Sequence, residues 1–243
     1  MPPFPVITSL NAIPTLWNEH VADLAYMPDF DGVNVYQWDA IAGSLPASCV
    51  YAGDGDGPPQ YVMDAFGTGR HAVQFVGGKM TGEWFASAAD MTCAFVGNHD
   101  AWNSYAPYPR FVSAAHYGVG SEDWDAPETW VLSCYDSSIG CFVADRNWAR
   151  PLTLPFVTGT NYIAVTRKQG GTITAWLQPF GGNTATASGA TGNVGLVFDT
   201  LLLGGNGEPQ NLAGMIAHVG LWGRGLADSE VLSVMNYLGS RYA

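Results

Sequence analysis

The chain of 243 residues carries 21 acidic and 9 basic residues, a formal net charge of −12, and 47% of its residues are hydrophobic. So acidic a surface repels phosphate backbones and anionic lipids, which argues against nucleic-acid binding and membrane-surface binding. The hydrophobic content can form a large core, and no apolar run reaches the roughly 18 residues of a membrane span. A disordered chain and membrane insertion are therefore excluded.

The first ten residues, MPPFPVITSL, carry three prolines and several large apolar side chains. Proline holds such a segment extended and lowers the entropy lost on docking, and exposed apolar residues usually mark a contact. We predict an N-terminal arm over residues 1–10 that docks on a copy of the chain or on a larger protein lattice through Phe4, Val6, Ile7 and Leu10. The alternative is that the arm folds back onto its own domain.

The start also lacks the basic and apolar regions of a signal peptide, which predicts a protein that stays in the cytoplasm where it is made or leaves by lysis or a non-standard route.

From residue 11 onward the chain is predicted to be one domain built of β-strands. Short runs alternate apolar with polar residues, are rich in β-branched and aromatic types, and are separated by Gly and Pro turn signals. The predicted strands cover 71–77, 92–97, 109–117, 129–135, 141–144, 194–203 and 212–222, with a hairpin over 161–178 that turns at Gln169-Gly170-Gly171. No βαβ alternation and no internal repeat occurs, so residues 11–243 are predicted to form a single all-β domain.

One amphipathic helix is predicted near the C-terminus, over residues 228–238. Its apolar stripe follows the i, i+3, i+4, i+7 spacing of one helix face. The stripe is formed by Val231, Val234, Met235 and Leu238. Asp228 and Glu230 in the first turn suit the helix dipole, and Gly239 stands where a C′ glycine would end the helix.

The four cysteines fit neither a zinc-binding pattern nor a disulfide-dense scaffold. Cys134 and Cys141 flank the segment YDSSIG, and a hairpin turning at Ser137 and Ser138 would place them opposite each other. The sequence leaves open whether these two cysteines form a disulfide, although free buried thiols are expected in a protein without a secretion signal. The segment GDGDG at 53–57 could offer oxygen ligands to Ca²⁺, but it lacks the rest of a calcium-loop pattern, and a tight turn is the better interpretation. We predict no metal and no cofactor.

The segment LLLGGNGEPQNLAGMIAHVGLWGRGLADSEVLSVMNYL resembles the C-terminal signature of concanavalin A-like, laminin G-type jelly rolls. That signature is a strand ending in Gly-Gly, a strand of the form G-x-I-A-x-V, and R-x-L-S-D-x-E before a short helix. The matching residues are Gly204, Gly205, Gly214, Ile216, Ala217, Val219, Arg224, Leu226 and Glu230. Ala227 replaces the usual capping Ser, which removes one hydrogen bond from the helix start, and His218 stands where an acidic residue is frequent. The N-terminal half matches the order of the family's segments more loosely, in PTLWNEHVADL, GVNVYQWD and RHAVQFVGG. The resemblance implies a concanavalin A-like jelly-roll sandwich of two antiparallel sheets with one short C-terminal helix.

An acidic motif bears on whether the protein is an enzyme. Asp123, Asp125 and Glu128 have the spacing of the E-x-D-x-x-E strand in one group of retaining glycosidases, with Asp in the first place. Such a mechanism needs two carboxyl groups about 5–5.5 Å apart. Pro127 cannot donate to a central sheet ladder, so the stretch is predicted to be a solvated loop that enters a strand at Trp130. No catalytic residue is predicted, and we expect no hydrolysis of polysaccharides.

Aromatic side chains in polar, Pro-rich segments are candidates for sugar binding. Sandwich lectins stack aromatic rings against the sugar ring and hydrogen bond its hydroxyls. The candidate ligand-binding residues are Trp102, Asn103, Tyr105, Tyr108 and Trp124. Aromatic residues also fill cores and pack at interfaces with partners, and the sequence leaves these alternatives open.

A sandwich of this family carries lectins, glycosidases, lyases, adhesion modules and virion proteins alike. The absent signal peptide, the apolar arm and the broken acidic motif are best interpreted as a non-enzymatic virion module, a bacteriophage capsid decoration or tail-associated protein. Its expected partners are other virion proteins or copies of itself, and a cell-surface glycan if it serves adhesion. The alternatives are a carbohydrate-binding lectin and a glycoside hydrolase or lyase.

Overall fold

The computed structural model describes residues 7–53, 57–100, 109–115, 129–135, 138–144, 154–191, 195–205 and 211–243. These residues form sixteen strands, one α-helix and two short 3-10 turns at Leu10–Ala12 and Leu24–Tyr26. The strands are β1 (Leu16–Val21), β2 (Gln37–Asp39), β3 (Ser48–Tyr51), β4 (Gln60–Val62), β5 (Ala72–Val76), β6 (Met80–Ala88), β7 (Met91–His99), β8 (Arg110–Ala115), β9 (Thr129–Tyr135), β10 (Ser138–Ala144), β11 (Leu154–Pro155), β12 (Tyr162–Gln169), β13 (Thr172–Pro179), β14 (Ala185–Ala190), β15 (Leu196–Leu203) and β16 (Ala213–Trp222). The helix α1 spans Asp228–Tyr242.

The strands form two antiparallel sheets. The first runs β14-β13-β12-β7-β16-β5-β4, with β1 also paired to β16, and the second runs β11-β10-β9-β8-β15-β6-β3-β2. Many neighbouring strands are far apart in sequence, as the crossing connections of a jelly roll require. The predicted jelly-roll sandwich with a C-terminal helix is confirmed.

The main core lies between the two sheets, where alternate side chains of each strand meet. Its largest fully buried members include Trp38, Phe75, Phe95 and Trp130. Burying each such side chain stabilises the fold by roughly 1.5–3 kcal/mol or more. The core therefore holds both sheets at fixed distance and directs the remaining side chains of each strand outward.

A second core lies between the outer face of the first sheet and α1. The predicted helix stripe packs there against Ala94, Val96, Ile163 and Val165. The helix begins at Asp228, as predicted, but it continues to Tyr242 instead of ending at Gly239. Tertiary contacts decide this, because the Tyr242 side chain is buried and hydrogen bonds inside the fold.

No helix in the described part of the chain is long and apolar enough to cross a membrane.

The residues of the R-x-L-x-D-x-E motif hold the start of α1. Arg224 donates to both oxygens of Glu230, at 2.7 and 2.6 Å, and Glu230 Oε2 accepts from the Ala227 amide at 2.8 Å. The carboxylate therefore satisfies a backbone donor that Ala227 has no side chain to help cap. Arg224 and Glu230 therefore have a structural role at the helix start.

Strand register tests two turn predictions. The predicted hairpin is confirmed, since Gln169 pairs with Thr172 across the turn. The turn that would place Cys134 opposite Cys141 is not confirmed. In the register of β9 and β10, Cys134 lies opposite Ile139 and Cys141 lies opposite Leu132. The pair nearest to the turn in the described residues is Tyr135 with Ser138.

The described part of the N-terminal segment packs on its own chain. Leu10 is fully buried in the second core, and Ile7 packs partly against the same cluster. Leu10 is therefore not available to a neighbouring molecule, and for this residue the structure favours an arm that folds back. Phe4 and Val6 lie outside the described residues, and docking through them stays a prediction.

Candidate functional site

The five residues predicted from the sequence to bind a ligand lie outside the described residues. Trp102, Asn103, Tyr105 and Tyr108 fall between β7 and β8, whereas Trp124 falls between β8 and β9. These two connections leave opposite ends of β8, which runs from Arg110 to Ala115. The acidic motif at 123–128 also lies outside the described residues, and β9 begins directly after it at Thr129.

A buried polar array lies between β1, β16 and α1. The His218 ring contacts Glu19 through Nε2 at 2.9 Å and the Tyr242 hydroxyl through Nδ1 at 3.2 Å. Burial lowers the pKa of His218 and raises that of Tyr242 to about 12. A neutral ring therefore donates from Nε2 to Glu19 and accepts at Nδ1 from Tyr242. This array resembles a catalytic relay in its order, but solvent does not reach it, so its role is to join the sheet to the helix.

A second buried contact joins a thiol to an imidazole inside the main core. The Cys49 Sγ lies 4.0 Å from His20 Nε2, and both residues are fully buried. Desolvation lowers the pKa of His20 to about 3 and raises the pKa of Cys49 above its usual range. A nucleophilic pair needs the opposite shifts, a thiolate beside a base that can accept its proton. The contact is therefore part of the core.

The lowered histidine pKa values predict a fold that weakens in mild acid. Burial lowers the pKa of His20, His99 and His218, so below about pH 6.5 the unfolded chain binds protons that the folded chain does not. The free energy of unfolding should be highest above that pH and fall as the pH decreases, by up to about 1.4 kcal/mol per pH unit for each histidine. Urea unfolding followed from pH 7.5 downward measures the slope.

The variant His20→Leu should flatten this slope, because it removes one buried titrating ring whatever its effect on the absolute stability. His71→Leu is the matched control, since the His71 ring is half-exposed. Equal slopes in wild type and His20→Leu would contradict the assignment.

The outer face of the second sheet is the most promising surface of the described residues. Strand alternation places one set of β6 side chains in the main core and the other set on this face, together with matching residues of β2, β3 and β15. We name this surface the Phe85 face; its members are Gln37, Asp39, Ser48, Val50, Thr81, Glu83, Phe85, Ser87, Val197, Asp199 and Thr200. It combines carboxylates and hydroxyls with a few apolar side chains.

Phe85 is the most exposed aromatic side chain of this face, at 72% exposure. Glu83 precedes it by two residues on the same side of β6. The pairing of β6 with β15 shifts register here, so that Trp84 and Phe85 of β6 lie opposite the single residue Asp199 of β15. The extra residue on β6 is a β-bulge, which locally disrupts the regular pairing. The ring therefore shares its sheet face with acceptor groups, and the described residues leave most of it exposed.

Polar side chains near the edge of the sheet already form a local network. Gln37 Nε2 donates to Asp39 Oδ1 at 2.8 Å and to Ser48 Oγ at 3.0 Å, and the Ser48 hydroxyl donates to the same carboxylate at 2.5 Å. These bonds fix the side chains before any ligand arrives. A fixed set of acceptors beside an exposed ring lowers the entropy cost of binding a polyhydroxylated molecule.

The sequence analysis did not identify this face, because it did not predict β6. Among the described residues, no group of three or more His, Cys, Asp or Glu side chains is arranged to hold a metal ion. The face can therefore offer stacking, hydrogen-bond acceptors and negative charge.

Comparison with known proteins finds likeness at the level of structure. No family model matches the chain, and no curated protein matches it. Trypanosoma rangeli sialidase is similar over 92% of this chain and 33% of its own, with 14% identity and a TM-score of 0.56. Domain 4 of a GH43 extracellular arabinanase from Geobacillus stearothermophilus, solved with arabinotriose, is similar over 91% of this chain and 98% of its own, with 12% identity and a TM-score of 0.60.

The binding domain of botulinum neurotoxin DC, solved in complex with SialylT, is similar over 92% of this chain and 51% of its own, with 9% identity and a TM-score of 0.62. The chain thus spans about a third of the sialidase and about half of the toxin domain. At these identities the likeness concerns the fold. The chain has the β-sandwich fold that these glycoside hydrolase and binding domains share.

Proposed function

We propose that this protein is a non-catalytic carbohydrate-binding module whose binding surface is the Phe85 face. The observation that carries the proposal is the exposure of Phe85 on a sheet face that also presents carboxylates and hydroxyls. One face of a sugar ring is a row of C–H groups that packs on an aromatic ring, while its hydroxyls need hydrogen-bond partners at the edge. The Phe85 face supplies both at one place.

The apolar members of the face extend this match. Val50 is 44% exposed, and it lies on β3, which pairs with β6. Single exposed apolar residues are ordinary, but an aromatic ring and an aliphatic side chain on one acidic sheet face can contact two neighbouring sugar units. Solved neighbours of the same fold include domains in complex with arabinotriose and with SialylT, which supports the choice of ligand class.

The proposal is for binding without catalysis. Hydrolysis by a pair of carboxyl groups needs one of them protonated at working pH, which requires burial or a close like charge. Glu83 is exposed, as expected for a residue that contacts a ligand and not for a general acid. The buried Cys49–His20 contact has pKa shifts opposite to those of an activated nucleophile.

The sequence analysis predicts that the protein is part of a bacteriophage virion, and this prediction concerns the location of the module, not its ligand. A glycan-binding sandwich on a phage particle would serve adhesion to the host surface, so the two ideas are compatible. Detection of the chain in purified particles by mass spectrometry tests the location independently of the ligand.

The binding test compares two surface variants. Phe85→Ala should weaken glycan binding at least about tenfold, the loss of one stacked ring, with an unchanged melting temperature because the side chain is mostly exposed. Met63→Ala is the matched control, since Met63 is 74% exposed and lies beyond β4 on the other sheet. A glycan array identifies ligands, and calorimetry measures both variants.

Three outcomes would contradict the proposal. Absence of binding to every glycan on the array rejects carbohydrate binding. Binding that Phe85→Ala and Met63→Ala leave equally strong moves the site away from the Phe85 face. Release of reducing ends from a bound polysaccharide would show that the module is an enzyme.

A further inference from the structure

Two arginines near the end of α1 differ from the paired cations around it. The paired cations are Arg167 with Asp228 at 2.7 Å, Lys168 with Asp90 at 3.8 Å and Arg224 with Glu230 at 2.6 Å. Arg70 and Arg241 instead contact a carbonyl, a hydroxyl and an aromatic ring, and neither forms an ion pair with a carboxylate of the described residues. In a chain of net charge −12, two such arginines together indicate a role beyond holding the fold.

The two arginines are neighbours in space. Arg70 Nε donates to the Arg241 carbonyl at 3.2 Å, although the residues are 171 positions apart. Arg241 Nη1 donates to the Tyr237 hydroxyl at 3.2 Å, and its guanidinium lies over the Tyr242 ring, 5.6 Å from the ring centre. Burial raises the pKa of Tyr242 to about 12, while the positive charges of Arg241 and Arg70 both act on it in the opposite direction. Both guanidinium groups therefore lie near one hydroxyl.

The fold fixes both arginines from different elements. Arg241 is in the last turn of α1, which the buried Tyr242 side chain anchors to the first sheet. Arg70 is in the connection between β4 and β5, where its carbonyl accepts from the Ala65 amide at 2.8 Å. The carboxylate of that connection, Asp64, accepts from the Gly69 amide at 2.6 Å. A site held in this way loses little entropy when a ligand binds.

The guanidinium groups keep donors for a ligand. Each guanidinium has five N–H donors, and the hydrogen bond of Arg70 to the helix end uses Nε alone. Basic side chains often cap the last carbonyls of a helix, and this is the structural role of Arg70. Capping leaves its terminal Nη groups, and the Arg70 side chain is exposed. The planar fork of arginine matches the paired oxygens of a carboxylate, sulfate or phosphate.

We propose that Arg70 and Arg241 form a binding site for an oxyanion group, a carboxylate, sulfate or phosphate, at the C-terminal end of α1. Acidic sugars and free inorganic anions present the same oxygens to a guanidinium. The helix C-terminus offsets only about half an elementary charge, so two guanidinium groups leave this place positive. The site lies with α1 on the outer side of the first sheet, whereas the Phe85 face belongs to the second sheet. The inference is therefore independent of the proposed function.

The test compares a charged sugar, its neutral form and a free anion. NMR titration with sodium glucuronate, glucose and sodium sulfate, at one ionic strength balanced with sodium chloride, measures each affinity. Glucuronate or sulfate should bind with a dissociation constant on the order of 1 mM, and glucose at least about tenfold more weakly. Tighter binding of glucuronate than of sulfate identifies an acidic sugar as the source of the oxyanion, and the reverse order identifies a free anion. Absence of binding by both anions would overturn the inference.

Variants of equal charge locate the site. Arg70→Gln and Arg241→Gln should each weaken anion binding at least about tenfold, because each removes one charged fork. Arg70→Lys keeps the charge but not the fork, so it should also weaken binding, by about threefold or more. This variant keeps the test decisive if a melting curve shows that Arg70→Gln does not fold.

Arg167→Gln is the matched control for the loss of one positive charge. Arg167 pairs with Asp228 at the start of α1, about 20 Å of helix from Arg241, which exceeds the Debye length of about 8 Å at physiological salt. The control should therefore change anion affinity by less than about twofold. Equal losses of affinity in Arg167→Gln and Arg241→Gln would show a general effect of net charge and reject the site.

Discussion

Gly97→Ala is expected to destabilise the protein severely. A Cβ atom at this position would lie 2.0 Å from the Met215 carbonyl oxygen and 2.6 Å from Phe95 Cζ. Gly97 is located where β7 pairs with β16, beside the register shift between Ile216 and His218. Backbone atoms of a central sheet cannot move away without breaking the pairing, so the free energy of unfolding should fall by about 3 kcal/mol or more.

A second glycine provides the matched control. Gly239 is inside α1, and an added Cβ would make an ordinary contact of 3.7 Å with Ile163 Cδ1. Alanine has a higher helix propensity than glycine, so Gly239→Ala should raise stability by about 0.5–1 kcal/mol. Urea unfolding of both variants decides the matter, and soluble yield reports a Gly97→Ala chain that does not fold. A Gly97→Ala protein within about 0.5 kcal/mol of wild type would contradict the predicted clash.

The sequence predicts the sandwich well where hydrophobic alternation is strong. The Tyr162–Gln169 and Thr172–Pro179 hairpin has β-branched and aromatic residues on both strands and a Gly-Gly turn, and it was predicted almost to the residue. The helix start was also predicted, because acidic first-turn residues and an apolar stripe coincide. Its end was not, since burial of Tyr242 outweighs the tendency of Gly239 to end a helix.

β6 was not predicted because its alternation is hidden. Its inward side alternates the large residues Met80 and Trp84 with the small residues Gly82 and Ala86, and small residues give a weak hydrophobic signal. Gly82 is required by close packing, since a Cβ there would stand 2.5 Å from the Ser48 carbonyl oxygen. Once Trp84 is known to point inward, the outward direction of the next residue follows.

Loop composition predicted a different surface from the one the described residues favour. The sequence pointed to aromatics in polar segments, because exposed rings are expected in loops. β7 also continues beyond the predicted strand 92–97 to His99, and Asn98 Oδ1 accepts from the Met215 amide at 2.9 Å. A long-range hydrogen bond of this kind has no local sequence signal.

Glu19→Ala is expected to cost about 3–5 kcal/mol of stability, although the residue lies far from the Phe85 face. Glu19 and His218 are 3% and 1% exposed, and their contact at 2.9 Å joins residues that are 199 positions apart. Removing the carboxylate leaves the His218 Nε2–H buried without an acceptor and opens a cavity. Glu19→Gln keeps an acceptor of similar size, so a smaller loss is expected.

A double-mutant cycle separates this pairing from simple loss of volume. The double variant Glu19→Ala/His218→Leu should lose less free energy of unfolding than the sum of the two single variants, by about 0.5–3 kcal/mol. Each single variant leaves one polar group of the pair buried without its partner, whereas the double variant removes both groups. Tyr242→Phe supplies the control on the other ring nitrogen, where loss of one hydroxyl donor should cost about 1–3 kcal/mol. Unfolding free energies from urea titrations at one pH measure all variants. Strict additivity of Glu19→Ala and His218→Leu would show that the buried contact between these two residues does not stabilise the fold.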